Sequence, residues 1–238
     1  KLTIDEYHNF LKQYSFRDKA INGVLAHFKE FKSYCFLSAT PIPNNLKPAI
    51  FNDIPEYIAN WNTTDEITVY PYHTNKPYMV AAKFIKTYQA KGCLNVNGIE
   101  SKEAYFFINS VTEIKAILKQ TQLTEDDYRI ICADNPKNRI TLEGYIISSS
   151  ADAPKKFNFI TSKSFEGVDF HSETGLCFVV SNVQNRHTLV SIDMDIPQIV
   201  GRIRTKSNPF RNKVVHIFNT KATDHYTTFE EMEQIVDK

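Results

Sequence analysis

The chain has 238 residues, room for one large or two small domains, and its 42% hydrophobic and 23% charged residues exclude a disordered or low-complexity polymer. A formal net charge of +1 excludes a grossly basic polyelectrolyte but is compatible with a local basic stripe that meets nucleic acid. No apolar run approaches the ~20 residues that a membrane-spanning helix needs, and no secretory signal is visible, so a cytoplasmic protein without membrane contact is expected.

The chain opens on a short apolar approach, Leu2 and Ile4, that runs into Asp5-Glu6-Tyr7-His8. A helix is predicted from about Ser15, where Ser15 and Asp18 resemble a capping box and Ile21, Val24, Leu25 and Phe28 share one face. Tyr34 to Leu37 predicts a buried strand that ends in Ser38-Ala39-Thr40. Pro41, Pro43, Pro48 and Pro55 make residues 41–62 mostly irregular, and the stretch 41–66 is the best domain boundary.

A second series starts at Ile67-Thr68-Val69-Tyr70, and Pro77 opens a helix that Gly92 closes. Then come a strand (Ala104 to Ile108), a helix (Val111 to Lys119), a strand (Arg129 to Ala133) and a weaker segment near 140–147. Strands follow at Phe157 to Thr161 and Gly175 to Ser181. Asp195 is expected to cap a helix across 196–204, Lys213 to Phe218 is the last strand, and 227–237 reads as an acidic helix. Strands alternating with helices predict an α/β fold, a parallel sheet with helices on both faces.

The four cysteines, Cys35, Cys93, Cys132 and Cys177, are far apart and form no C-x-x-C pair. Buried free thiols in a reducing cytoplasm are expected, not a zinc site.

Four segments bear chemistry. Asp5 and Glu6 at a strand end suit a metal-phosphate site, where one carboxylate holds Mg²⁺ and the other orients or deprotonates a water; a solvated surface pair has the same sequence. Ser38-Ala39-Thr40 follows the next strand, so both strand ends can share the edge where α/β folds bind ligands. Thr161 to Asp169 leaves another strand with hydroxyls, a lysine, Gly167 and Asp169: a phosphate-contacting segment, or a plain strand-to-helix loop. In Gln198-Ile199-Val200-Gly201-Arg202-Ile203-Arg204, Gln198 and Arg202 are four apart on one helical face, and the alternative is a basic surface helix. Arg202, Arg204, Lys206, Arg211 and Lys213 form a basic run without an acidic residue, either a solvated face or a phosphate stripe.

In this order the segments resemble the superfamily 2 helicases and translocases of the DExH type, across nearly the whole chain. Asp5-Glu6-Tyr7-His8 matches motif II and Ser38-Ala39-Thr40 motif III. Phe107-Ile108-Asn109-Ser110 sits where motif IV would, Thr161 to Asp169 looks like motif V, and Gln198 to Arg204 looks like motif VI. The resemblance implies two RecA-like lobes with ATP in the cleft between them. Residues 1–62 would end the first lobe, 63–222 would form a complete second lobe and 223–238 a C-terminal helix.

It also implies roles. Asp5 would serve Mg²⁺ and Glu6 would activate the hydrolytic water. His8 and Gln198 would couple the lobes across the cleft, and Ser38 and Thr40 would link hydrolysis to lobe movement. Asn109, Ser110, Thr161 and Ser162 would lie near the nucleic-acid backbone. Gly167 and Asp169 would lie near the nucleotide, and Arg202 would reach the γ-phosphate.

Two departures stand out. No G-x-x-x-x-G-K-[ST] loop occurs in the sequence, so the phosphate cradle is expected from an upstream part of the same protein, and the chain alone should bind ATP poorly. The second motif VI arginine is expected three residues after the first, where this chain has Thr205; Arg204 is only two on, roughly 200° around a helix. Arg202 is therefore the better candidate for the arginine finger. The expectation is the C-terminal portion of an ATP-dependent motor on DNA or RNA, with phosphate contacts dominating binding. The rival is a helicase-like module that docks nucleic acid or protein without hydrolysis. Trp61 reads as a packing residue between the lobes.

Overall fold

The computed structural model describes residues 1–59, 66–165 and 168–221, except the side chains of Ser15 and Phe16. Trp61 and the expected C-terminal helix at 223–238 lie outside the described residues.

The N-terminal part is small. Strand β1 (Leu2–Ile4) leads through Asp5-Glu6 into a one-turn helix, α1 (Asn9–Lys12), and then α2 (Tyr14–His27). Strand β2 (Tyr34–Phe36) pairs parallel with β1, Ile4 opposite Phe36. Phe36 anchors a small core, edge-on to Phe51 at 5.0 Å and to Phe28 at 5.3 Å between ring centroids. Ile21 and Phe28 are buried, as their helical spacing predicts. Ser15 does not cap the helix: it lies inside α2, which starts one residue earlier and kinks at Arg17 (φ −129°, ψ 19°).

The larger part is an α/β unit. In chain order it runs β3 (Thr68–His73), α3 (Pro77–Lys91), a hairpin of β4 (Leu94–Val96) and β5 (Ile99–Ser101), β6 (Glu103–Phe107), α4 (Val111–Thr121), β7 (Tyr128–Ile131) and α5 (Pro136–Thr141). It continues with β8 (Phe157–Ile160), β9 (Gly175–Val180), α6 (Asp195–Val200) and β10 (Lys213–Phe218). Six strands form one all-parallel sheet, in the order β3-β10-β9-β6-β8-β7, with helices on both faces, consistent with a RecA-like fold.

The strand sequences explain the layers. Successive side chains point to opposite faces, so a strand covered on both sides reads as a continuous apolar run. Phe106, Phe159, Phe178 and Ile130 face α3 and α4; Tyr105, Phe107, Ile131, Ile160 and Cys177 face the layer that contains α6. Phe106 stacks on Phe178 at 4.7 Å and on Phe159 at 5.5 Å. At the edge of this second layer the buried Arg129 donates from Nε to Asn158 Oδ1 (3.0 Å) and from Nη1 to the Asp152 carbonyl.

Pro77 at the first turn and Gly92 in the left-handed region (φ 78°) delimit α3 as predicted. Burial leaves Cys177 with its thiol pKa pushed up to about 12, an inert core side chain. All four cysteines are free, but only Cys132 and Cys177 are buried: Cys93 is half-buried, and Cys35 is exposed, since on its three-residue strand it points away from the small core. No helix among the described residues is long and apolar enough to cross a membrane.

At the start of β9, Gly175 admits no side chain. A Cβ there would lie 2.5 Å from Tyr105 Cε2 and 2.7 Å from Ser172 Oγ. Gly175→Ala is therefore expected to cost about 1–3 kcal/mol, read as a lower urea midpoint at unchanged slope.

Candidate functional site

The carboxylates come first because the backbone presents them. Parallel pairing of β1 and β2 puts Asp5-Glu6 and Ser38-Ala39-Thr40 at the same sheet edge. Glu6 adopts φ 52°, a left-handed conformation that costs a non-glycine residue about 1–2 kcal/mol. Asp5 Oδ1 accepts the Glu6 N–H at 3.0 Å and fixes this turn. Glu6 Oε2 lies 3.2 Å from His8 Nδ1 and accepts from Ser38 Oγ at 3.5 Å. His8 is fully buried, and its Nδ1 is 2.7 Å from Ser38 Oγ. Ser38 Oγ also accepts the Thr40 N–H at 3.0 Å.

From Thr40 the network crosses to the larger part of the molecule. Gln198 Nε2 donates to Thr40 Oγ1 at 3.2 Å, and Arg202 Nη2 donates to Gln198 Oε1 at 3.2 Å. Arginine only donates, so the amide orientation is fixed: its oxygen faces Arg202 and its NH₂ faces Thr40. Thr40, Gln198 and Arg202 are all buried. A buried polar group left without a partner costs about 1–3 kcal/mol, so this relay holds its two ends in one arrangement.

Helix α6 is shorter than its sequence pattern suggests. It ends at Val200, not near 204, because Ile203 leaves to pair with Phe170 in a parallel bridge. Gln198 and Arg202 still meet: Arg202 Nε donates to the Gln198 carbonyl at 2.8 Å and closes the helix end. Arg202 Nη1 also reaches the Val168 carbonyl at 3.4 Å and lies 3.9 Å from Asp169 Oδ1. Arg204, beyond the helix, donates from Nε to Asp169 Oδ1 at 2.7 Å, with both side chains about half exposed (47% and 51%). The carboxylate of Asp169 thus gathers two arginines. Behind it, the Arg129 guanidinium sits 5.4 Å from the Phe170 ring centroid and backs the bridge.

A second group gathers at the carboxyl ends of β6, β7 and β8. Asn109 clamps three loops: Nδ2 donates to the His187 carbonyl at 2.6 Å, and Oδ1 accepts from Ser162 N–H (3.2 Å) and Ser162 Oγ (2.7 Å). Ser110 caps α4, accepting the Glu113 N–H at 3.4 Å. Thr161 Oγ1 donates to the Ile131 carbonyl at 3.4 Å. These residues line an open cleft of about 510 Å³ whose cations are Lys137 and Lys163 and whose acid is Glu113, its pKa raised by burial.

The expected site residues therefore fall into two sets. Asp5, Glu6, His8, Ser38, Thr40, Asp169, Gln198, Arg202 and Arg204 follow the relay; Asn109, Ser110, Thr161 and Ser162 follow the cleft. Gly167 lies outside the described residues. Lys137 and Asn138 on α5, and His187 before α6, line the cleft without having been singled out as site residues. Lys137 and Asn138 had a readable signal in the helix start Asn135-Pro136, where Asn135 Oδ1 accepts the Asn138 N–H.

The donor set limits the metal chemistry. Among the described residues no group of three His, Cys, Asp or Glu side chains converges. The exposed Asp5, with Oδ1 on the Glu6 N–H, suits Mg²⁺ held by one carboxylate and completed by phosphate oxygens and water, not an all-protein cage. Scanned against protein-family models and against curated proteins, the chain matches none.

Proposed function

We propose that this chain belongs to an ATP-dependent nucleic-acid helicase or translocase of the DExH type. The observation that supports this reading is the relay Glu6–His8–Ser38–Thr40–Gln198–Arg202, buried at His8, Thr40, Gln198 and Arg202, which joins a half-buried carboxylate to an arginine on another element. A solvated acidic pair and a basic surface helix have no need of one.

In this reading ATP lies between the two parts of the molecule. Asp5 would hold Mg²⁺, which would neutralise phosphate charge. Glu6 orients the attacking water and takes its proton. Arg202 stabilises charge on the transferred phosphoryl group, and Arg204, paired with Asp169, is secondary. Gln198 and Thr40 register whether the two parts are closed. The cleft around Asn109 and Ser162 takes the sugar-phosphate backbone of DNA or RNA, with Lys137 and Lys163 neutralising phosphates.

Fluorescence anisotropy with single-stranded oligonucleotides tests the binding half. Affinity is expected to fall with salt at a log–log slope of about −0.7 per neutralised phosphate, and Lys163→Ala to reduce that slope by about one contact. Salt-independent binding, or an unchanged slope in Lys163→Ala, contradicts this use of the cleft.

A further inference from the structure

A second contact crosses the boundary that Gln198 and Thr40 bridge. Lys12 Nζ lies 2.8 Å from Asp195 Oδ1, with the two side chains only 19% and 20% exposed. Each partner is attached to one end of the relay. Lys12 ends α1, which begins three residues after Glu6; Asn9 N–H donates to the Glu6 carbonyl at 2.9 Å, and Lys12 is four residues from His8. Asp195 opens α6, three residues before Gln198 and so on the same helical face. Its Oδ2 accepts the Ser191 N–H at 2.7 Å, which leaves Oδ1 turned to Lys12.

We propose that Lys12 and Asp195 are a positioning pair for the nucleotide site. Neither belongs to the relay. The pair sets the spacing at which Gln198 meets Thr40, and through Gln198 it sets the distance from Glu6 to Arg202. A long lysine against a short aspartate tolerates a range of angles, whereas the amide–hydroxyl bond does not. The ion pair therefore brings α6 to the carboxylate turn and the Gln198–Thr40 bond fixes it there. Screening is weaker for partly buried charges than for exposed ones, so the pair persists at physiological salt.

The inference rests on the ATPase reading for its effect on turnover, but not for its effect on spacing, and two measurements separate them. In the full-length protein, Lys12→Glu sets like charges together. It is expected to lower nucleic-acid-stimulated kcat about tenfold with KM for ATP little changed. Asp195→Asn, which keeps the acceptor for Ser191 N–H, is expected to lower kcat less. The exchange Lys12→Glu with Asp195→Lys is expected to recover most of the loss, which general damage to the fold would not allow.

Small-angle scattering of the 238-residue chain supplies the second readout: Lys12→Glu should enlarge the radius of gyration and the reciprocal exchange should restore it. Enlargement and restoration without ATP turnover in the wild type would sink the ATPase reading and leave the positioning pair standing. Unchanged dimensions in Lys12→Glu, or no recovery in the exchanged protein, overturn the pair itself.

Discussion

Glu6→Gln in the full-length protein is expected to lower nucleic-acid-stimulated ATP turnover by about 10²–10⁴-fold, the usual contribution of a general base, while ATP still binds. The amide keeps the shape of the carboxylate and an oxygen for Ser38 but cannot take a proton from water. Glu6 is held in place at some cost, with φ at 52° and its carboxylate against His8 and Ser38. The loss should appear in kcat, with the affinity for a fluorescent ATP analogue little altered. Turnover equal to the wild type would remove Glu6 from the chemistry.

Arg202→Ala is expected to have a larger effect, about 10³–10⁵-fold, the range associated with an arginine that stabilises charge in phosphoryl transfer. Three observations favour Arg202 over Arg204. Arg202 is buried, and two of its nitrogens are fixed by Gln198, at 2.8 Å to the carbonyl and 3.2 Å to the side chain. Its Nη1 faces the Val168–Asp169 segment, whereas Arg204 is half exposed and paired with Asp169. Arg204→Ala should therefore cost much less than Arg202→Ala. Arg202→Lys should not rescue, since an ammonium lacks the planar fork that meets both Gln198 oxygens. Because Arg202 also closes the end of α6, near-UV circular dichroism of each variant distinguishes lost chemistry from lost packing.

Much of the fold was legible because burial on both faces writes itself into the strands. Phe106-Phe107 and Leu176 to Val180 are continuous apolar runs, as a parallel sheet covered on both faces requires. Pro77 and Gly92 marked one helix because each has a backbone conformation that few other residues supply. The short elements were harder. The hairpin β4–β5 turns at Asn97-Gly98, with φ of 53° and 85°, yet its three-residue strands are too brief for alternation to register. Helix α5 has a proper start at Asn135-Pro136, but at six residues it shows no apolar face, and Ile140 points to solvent. The end of α6 was set by a partner distant in sequence: Phe170 draws Ile203 into a bridge and local periodicity yields.

The candidate site divides in the same way. The order of the motifs, through their resemblance to DExH helicases, pointed to Asp5, Glu6, Gln198 and Arg202 as candidates. The connections between them were not readable. Nothing in the sequence says that Gln198 turns its NH₂ to Thr40, that Asp169 gathers two arginines, or that Lys12 reaches Asp195. Those depend on how two separately built parts meet. Gly167 lies outside the described residues, so its expected place near the nucleotide has no structural counterpart here.

The most direct test of the account is steady-state ATP hydrolysis by the full-length protein, with and without a single-stranded oligonucleotide, at low salt. The expected result is hydrolysis that rises when the oligonucleotide is added, needs Mg²⁺, and disappears in Glu6→Gln. An oligonucleotide that binds tightly while ATP is not turned over would contradict the account and leave a module that docks nucleic acid without hydrolysis.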